Sequence, residues 1–234
     1  MRGILFDKDG TLLDFEASWS GLYRSLALDL AKGDAGRAQA MLEAGGLDPA
    51  TGRIRAGALL AAGNTLDIVK AWFPELGAGE FTAMVVRVDR VFHENGVRYS
   101  VPIEGLAETL EALAAMDFAL GVATSDGTAA ATAALAALGV GHRLPHIFGY
   151  DSVVSPKPAP DMVHAFCAAI GAEPADIIVV GDNTHDLEMA RSAGAGVVIG
   201  VTSGNSTEAD LAPLADAVLP SIRELPAWLR QNRK

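Results

Sequence analysis

The stretch Gly3-Ile4-Leu5-Phe6-Asp7-Lys8-Asp9-Gly10-Thr11 decides the fold. Four residues without charge fit a buried strand, and the polar segment with glycine that follows closes it abruptly. Short apolar blocks recur at residues 119–124, 147–150, 177–181, 197–201 and 217–219. Each is short enough for a strand of a parallel sheet covered on both faces. Helical patterns lie between or beside them, at 103–116, 128–138, 159–170, 186–193 and 208–214. Strand alternating with helix predicts an α/β chain with a Rossmann-like, doubly wound parallel sheet.

The first gap breaks that rhythm. Residues 15–102 carry helical spacing and no parallel strand, in pieces at 19–30, 34–44, 56–62, 66–72 and 80–93. Apolar residues three and four apart in these pieces predict a small helical bundle. Gly45-Gly46, Gly52, Gly63-Asn64 and Pro74 supply its turns. The expected organisation is therefore a core of residues 1–14 and 96–234, with residues 15–95 inserted as a helical domain.

Composition excludes several function classes. The chain has 234 residues, half of them apolar, and a mean hydropathy of +0.26, enough to bury a sizeable core. Lys plus Arg number 18 against 29 Asp plus Glu, and the net charge of -11 repels a nucleic-acid backbone. The single Cys167 cannot form an internal disulfide or a cysteine zinc cluster, which fits a reducing cytoplasm. Only residues 3–6 separate Arg2 from Asp7, too few for the apolar region of a signal peptide. The Ala-rich run at 129–140 contains Thr132 and is too short to span a bilayer, so neither export nor membrane insertion is expected.

The chemistry sits where the apolar blocks end. Asp7 and Asp9 leave the carboxyl end of the first strand, where open α/β sheets place their ligands. Residues two apart on extended chain point the same way, and Gly10 then allows a sharp turn beneath whatever lies between the two carboxylates. One carboxylate can attack while the other moves protons. Thr124 closes the second block and Ser125 follows it. Lys157 stands between prolines in Ser155-Pro156-Lys157-Pro158-Ala159-Pro160, just before a helix. The fourth strand releases Gly181-Asp182-Asn183-Thr184-His185-Asp186. Carboxylate and carbonyl oxygens without cysteine favour a hard cation, Mg²⁺ above all.

Asp7-Lys8-Asp9-Gly10-Thr11 resembles the first motif of the haloacid dehalogenase superfamily of phosphatases, and Thr124, Lys157 and the Asp182/Asp186 pair match its later motifs in order. The resemblance covers the core from Asp7 to Asp186, and residues 15–95 resemble the helical cap of phosphoglycolate phosphatase-type members. It implies that Asp7 is the nucleophile, forming an aspartyl-phosphate, and that Asp9 protonates the leaving alcohol and then takes a proton from water. Thr124, Ser125 and Lys157 would bind the phosphoryl oxygens, with Lys157 also pairing with Asp7. Mg²⁺ would be held by Asp7, the backbone carbonyl of Asp9 and Asp182, while Asp186 either binds it through water or orients Lys157.

The implied activity is Mg²⁺-dependent hydrolysis of a small phosphate monoester in the cytoplasm, by a monomer or small homo-oligomer; phosphoglycolate is named as substrate by resemblance alone. Asp9 argues against the dehalogenase branch, which lacks an acidic residue there, and against the ATPase relatives, which have threonine. A sugar phosphomutase uses the same residues and is the alternative within the family. A non-enzymatic phospho-receiver is the alternative outside it, though such modules are about half this length. Asp126-Gly127-Thr128 repeats the Asp-Gly-Thr letters without an aspartate two places earlier and is read as a capping turn. Arg53 and Arg55 could read an anionic substrate but fit solvated surface better. Trp19 fits packing at the hinge of the inserted domain, or the edge of the site. His185 lies inside the fourth motif and receives no role. His93, His142, His146 and His164 lack metal-pair spacing, and Cys167 belongs to an apolar helix face.

Overall fold

A computed structural model describes residues 1–232. Six parallel strands form one sheet in the order β3-β2-β1-β4-β5-β6: β1 (Gly3–Phe6), β2 (Ala119–Ala123), β3 (His146–Phe148), β4 (Ile177–Gly181), β5 (Val197–Val201) and β6 (Ala217–Leu219). The order reverses about the central β1, and such a reversal opens a crevice at the carboxyl ends of the strands. Register fixes what enters it. Phe6 lies opposite Val122 on one side and Val180 on the other. Asp7, Thr124 and Asp182 therefore leave neighbouring strands at nearly the same height.

Alternation along β1 divides the core. Ile4 and Phe6 join one apolar cluster with Leu110, Leu113, Val122, Val180 and Leu229, whereas Leu5 joins another with Val163, Phe166, Val179 and Leu187 on the opposite face. Helices α1 (Phe15–Leu30), α2 (Ala35–Ala44), α3 (Leu59–Ala62), α4 (Thr65–Trp72) and α5 (Ala78–Tyr99) follow β1 and build a third cluster of their own, from Phe15 and Trp19 to Val88 and Phe92. Asp14 starts α1 by accepting the Ala17 N–H at 3.0 Å. The remaining helices, α6 (Leu106–Ala114), α7 (Thr128–Ala137), α8 (Asp161–Ile170), α9 (Thr184–Ala193), α10 (Glu208–Leu211) and α11 (Leu225–Asn232), belong to the sheet layers.

Four elements differ from the sequence reading in an informative way. The third strand begins at His146 and ends at Phe148, because the Gly149 and Tyr150 N–H groups leave the ladder and donate to Thr128 Oγ1 at 3.1 Å and Asp126 O at 3.0 Å. Helix α5 runs to Tyr99, past the end of the piece read at 80–93 and through Asn95 and Gly96. Asn95 is held by donating its side-chain N–H to Val91 O at 2.8 Å, and Gly96 gives α5 a close approach to Ala134 of α7. The piece expected from residue 56 becomes helical only at Leu59. Helix α11 is absent from the sequence reading, although Leu225 and Leu229 carry it into the core. Among the described residues, no helix is long and apolar enough to cross a membrane.

Candidate active site

Asp7 is anchored by its own N–H, which donates to Val180 O at 2.8 Å. Lys157, brought from the segment before α8, donates from Nζ to Asp7 Oδ1 and to Asp186 Oδ1, both at 2.6 Å. Asp186 opens α9 as half of a capping box, its Oδ2 accepting the Asn183 N–H at 3.0 Å. Asp182 Oδ2 accepts the Asn205 N–H at 3.2 Å, and its Oδ1 lies 3.5 Å from the Thr11 hydroxyl. Gly10, at φ +94°, and Gly204 both press against the Asp182 carboxylate, where a Cβ would collide.

Asp7, Asp182 and Asp186 each turn an oxygen into a volume less than 4.8 Å across. Asp7 Oδ2 is buried there without a hydrogen-bond partner. Three carboxylates, one with an unanswered oxygen, fit a hard divalent cation. Burial pushes the Asp7 carboxyl up to about 7, against the opposing pull of Lys157, with Asp186 and Asp9 adding to the rise. Asp182 is raised well above the ordinary range by burial and by its two acidic neighbours. Burial weakens the Lys157 ammonium, but Asp186 and Asp7 outweigh it and hold that charge firmly.

Thr124 Oγ1 accepts the Asp126 N–H at 3.1 Å, which leaves its own hydroxyl proton free to donate elsewhere. The Ser125 hydroxyl is already engaged: it donates to Ala62 O of α3 at 3.0 Å, so only its N–H remains for an anion. Asp9 stands beside this group, its Oδ1 accepting Trp19 Nε1–H at 2.6 Å and its Oδ2 meeting Lys8 Nζ at 2.6 Å. Lys8 is 1% exposed and also reaches Asp126 at 2.9 Å, beneath the Trp19 ring. Asp126 is thus more than the capping turn expected from its letters. Gly127 caps α7, and the Asp126 side chain belongs to the site through Lys8. A buried ammonium needs a charged partner, and nothing local in the sequence pairs residue 8 with residue 126.

All seven sequence-predicted site residues, Asp7, Asp9, Thr124, Ser125, Lys157, Asp182 and Asp186, line one cavity of about 40 Å³. Phe15, Trp19, Tyr23 and residues 60–63 close it from the helical side. Trp19 therefore takes the edge-of-site alternative. His185 and Asn183 also line the cavity, with His185 Nδ1 and Asn183 Nδ2 unpartnered. Arg53 and Arg55 are exposed and outside it. Cys167 is buried in the cluster around Phe166 and does not line the cavity. Sequence reasoning passed over Lys8, Gly204 and Asn205. The last two follow β5, and their position at the carboxyl end of a strand is the one signal that could have marked them.

Residues 1–194 match the family model for haloacid dehalogenase-like hydrolases. A protein named as a probable phosphatase, IndB, from Dickeya dadantii is 38% identical over 128 residues, which span 54% of this chain and about half (55%) of that relative's length. A phosphoglycolate phosphatase from Yersinia pseudotuberculosis is 29% identical over 96% of this chain and 91% of its own. The crystal structure of a predicted phosphoglycolate phosphatase from Haemophilus somnus superposes with a TM-score of 0.73 at 24% identity, over 97% of both chains, a likeness of fold. With a match reaching from the Asp7 strand through the Asp186 helix, the chain belongs to the haloacid dehalogenase-like hydrolases.

Proposed function

We propose that the protein is a Mg²⁺-dependent phosphatase that hydrolyses a small phosphorylated metabolite through an aspartyl-phosphate on Asp7. The observation that carries this reading is the division of labour in the Asp7 carboxylate: Oδ1 is held by Lys157 at 2.6 Å, while Oδ2 is buried and unpartnered. A carboxylate held from one side with its other oxygen free suits nucleophilic attack. Asp7, Asp182 and Asp186, with the backbone carbonyl of Asp9, would hold Mg²⁺, which when bound supplies neutralisation of phosphoryl charge. Lys157 offsets charge on the phosphoryl oxygens, and Thr124 Oγ1–H with the Ser125 N–H completes their binding.

Asp7 attacks phosphorus as Asp9 gives its proton to the leaving alcohol, and Asp9 then takes a proton from the water that releases phosphate. Trp19 and Lys8 hold Asp9 at this station from two sides. Residues 15–95 act as a cap, excluding bulk water during transfer and opening for exchange.

The test is phosphate release from a panel of monoesters, with Asp7→Asn and EDTA as controls. Turnover is expected to fall by roughly 10³-fold or more in Asp7→Asn with the fold intact, to stop in EDTA and to return with Mg²⁺. Sugar-phosphate isomerisation in place of release would establish the phosphomutase alternative, and a long-lived phosphoprotein would establish a receiver.

A further inference from the structure

The leaving-group side of the cavity is chemically one-sided. Trp19 and Tyr23 stack with centroids 5.6 Å apart, and Phe92 closes on both rings edge-on, at 5.3 and 6.0 Å. Phe15 and the segment Leu60-Ala61-Ala62-Gly63 continue this wall. Against it stand the carboxylates of Asp9 and Asp126, both lining the cavity. Lys8 lies there too, but it is buried and spent on those two carboxylates at 2.6 and 2.9 Å. Lys157 belongs to the phosphoryl side, committed to Asp7 and Asp186. The arginines of the same helical region, Arg53 and Arg55 among them, are exposed and line no part of the cavity.

We propose that this cap selects a phosphomonoester whose leaving alcohol is uncharged and lays an apolar face on the Trp19–Tyr23 wall, and that it discriminates against a leaving group bearing a carboxylate, glycolate included. The inference rests on the phosphatase reading and narrows it. A carboxylate entering here would lose its hydration against aromatic carbon while facing Asp9 and Asp126, with no uncommitted lysine or arginine among the described lining residues to answer it. A hydroxyl or a C–H face meets no such opposition, and carboxylate oxygens accept from a hydroxyl.

The matched pair that tests this is 2-phosphoglycolate and ethylene glycol monophosphate, which differ by a carboxylate against a hydroxymethyl group of similar size. Both are measured with Mg²⁺ as substrates and as competitors of p-nitrophenyl phosphate hydrolysis. Ethylene glycol monophosphate is expected to be favoured by at least about tenfold in kcat/KM or in competition, a factor worth about 1.4 kcal/mol. Equal treatment of the two, or preference for phosphoglycolate, would overturn the proposal while leaving the phosphatase reading intact. Failure to release phosphate from either ester and from p-nitrophenyl phosphate overturns the phosphatase reading, and the selectivity with it.

Asp126→Asn keeps the shape of the side chain and releases part of the Lys8 charge. Because the measured quantity is the ratio between the two esters within one variant, a general loss of activity cancels. That ratio is expected to shift several-fold toward phosphoglycolate. No shift would overturn the assignment of Asp9, Lys8 and Asp126 as the selecting group.

Discussion

At the scale of single residues, the consequence of burying Asp7 is a coupling between stability and pH. Its carboxyl is raised to about 7, first by burial, so the folded state holds a proton that the unfolded chain releases near pH 4. The sign follows: this contribution is fully present below the unfolded value and is lost as pH rises through about 7. The metal-free protein is therefore expected to lose melting temperature between about pH 4 and 7 from this group, and Mg²⁺ to stabilise more strongly at pH 8 than at pH 5. Asp7→Asn removes the buried charge while Asp186 retains Lys157. It is expected to raise the metal-free melting temperature at pH 8, at roughly 2–4 °C for each kcal/mol recovered. A scan showing Asp7→Asn less stable than the parent at pH 8 would contradict the account of this burial.

Elements matter through what they deliver to the sheet edge. Helix α1 delivers Trp19 to Asp9, a contact that joins the inserted helices to the proposed acid. Trp19→Phe keeps an aromatic ring beside Tyr23 and Phe92 but removes the Nε1–H donor. Turnover is expected to fall about tenfold with little change in KM, since a lost hydrogen bond to a charged group costs about 1.5–3 kcal/mol when realised at the barrier. Steady-state kinetics giving parental kcat would remove Trp19 from the positioning of Asp9. The turn after β5 has the opposite role, clamping Asp182 from above by the Asn205 N–H. Gly204→Ala places a Cβ on that carboxylate. It is expected to weaken Mg²⁺ affinity by tenfold or more, read by titration calorimetry, while the sheet remains folded. Unchanged affinity would exclude Asp182 as a ligand.

For the whole molecule, the decisive contact is between the inserted helices and the core. Tyr150 of the core donates its hydroxyl to Asp89 Oδ2 of α5 at 2.7 Å, and Thr65 of α4 donates to Asp89 Oδ1 at 2.6 Å. Ser125 adds its bond to Ala62 O. The Tyr150 and Ser125 bonds, with the packing of α5 on α7, hold the inserted helices over the cavity, and Thr65 fixes Asp89 from within those helices. Tyr150→Phe leaves the ring and deletes one link worth about 0.5–1.5 kcal/mol, so the closed state should be populated two- to tenfold less. KM is expected to rise by that factor, with faster amide exchange in α4 and α5 and no loss of kcat. Exchange rates matching the parent would show that closure does not depend on this link.

Periodicity and position determined most of the fold and the centre of the site. Residues 177–181, 197–201 and 217–219 are strands at the bounds read from their apolar runs, because a strand buried on both faces is written locally, in consecutive residues. Asp7, Thr124 and Asp182 were legible for a related reason: each stands at the end of an apolar block, and a parallel sheet brings such ends to one edge, whereas Lys157 and Asp186 were marked by the resemblance of their motifs. Tertiary structure alone decided the rest. Lys8 and Asp126 are 118 positions apart in sequence, and only the pairing of β1 with β2 makes their charges neighbours. The placement of Trp19 on Asp9, the capture of Ser125 by Ala62 and the outward turn of Arg53 and Arg55 depend on how the inserted helices pack over the sheet. Side-chain chemistry is local, but burial and partnership are set by segments distant in sequence, and those set the selectivity of the site.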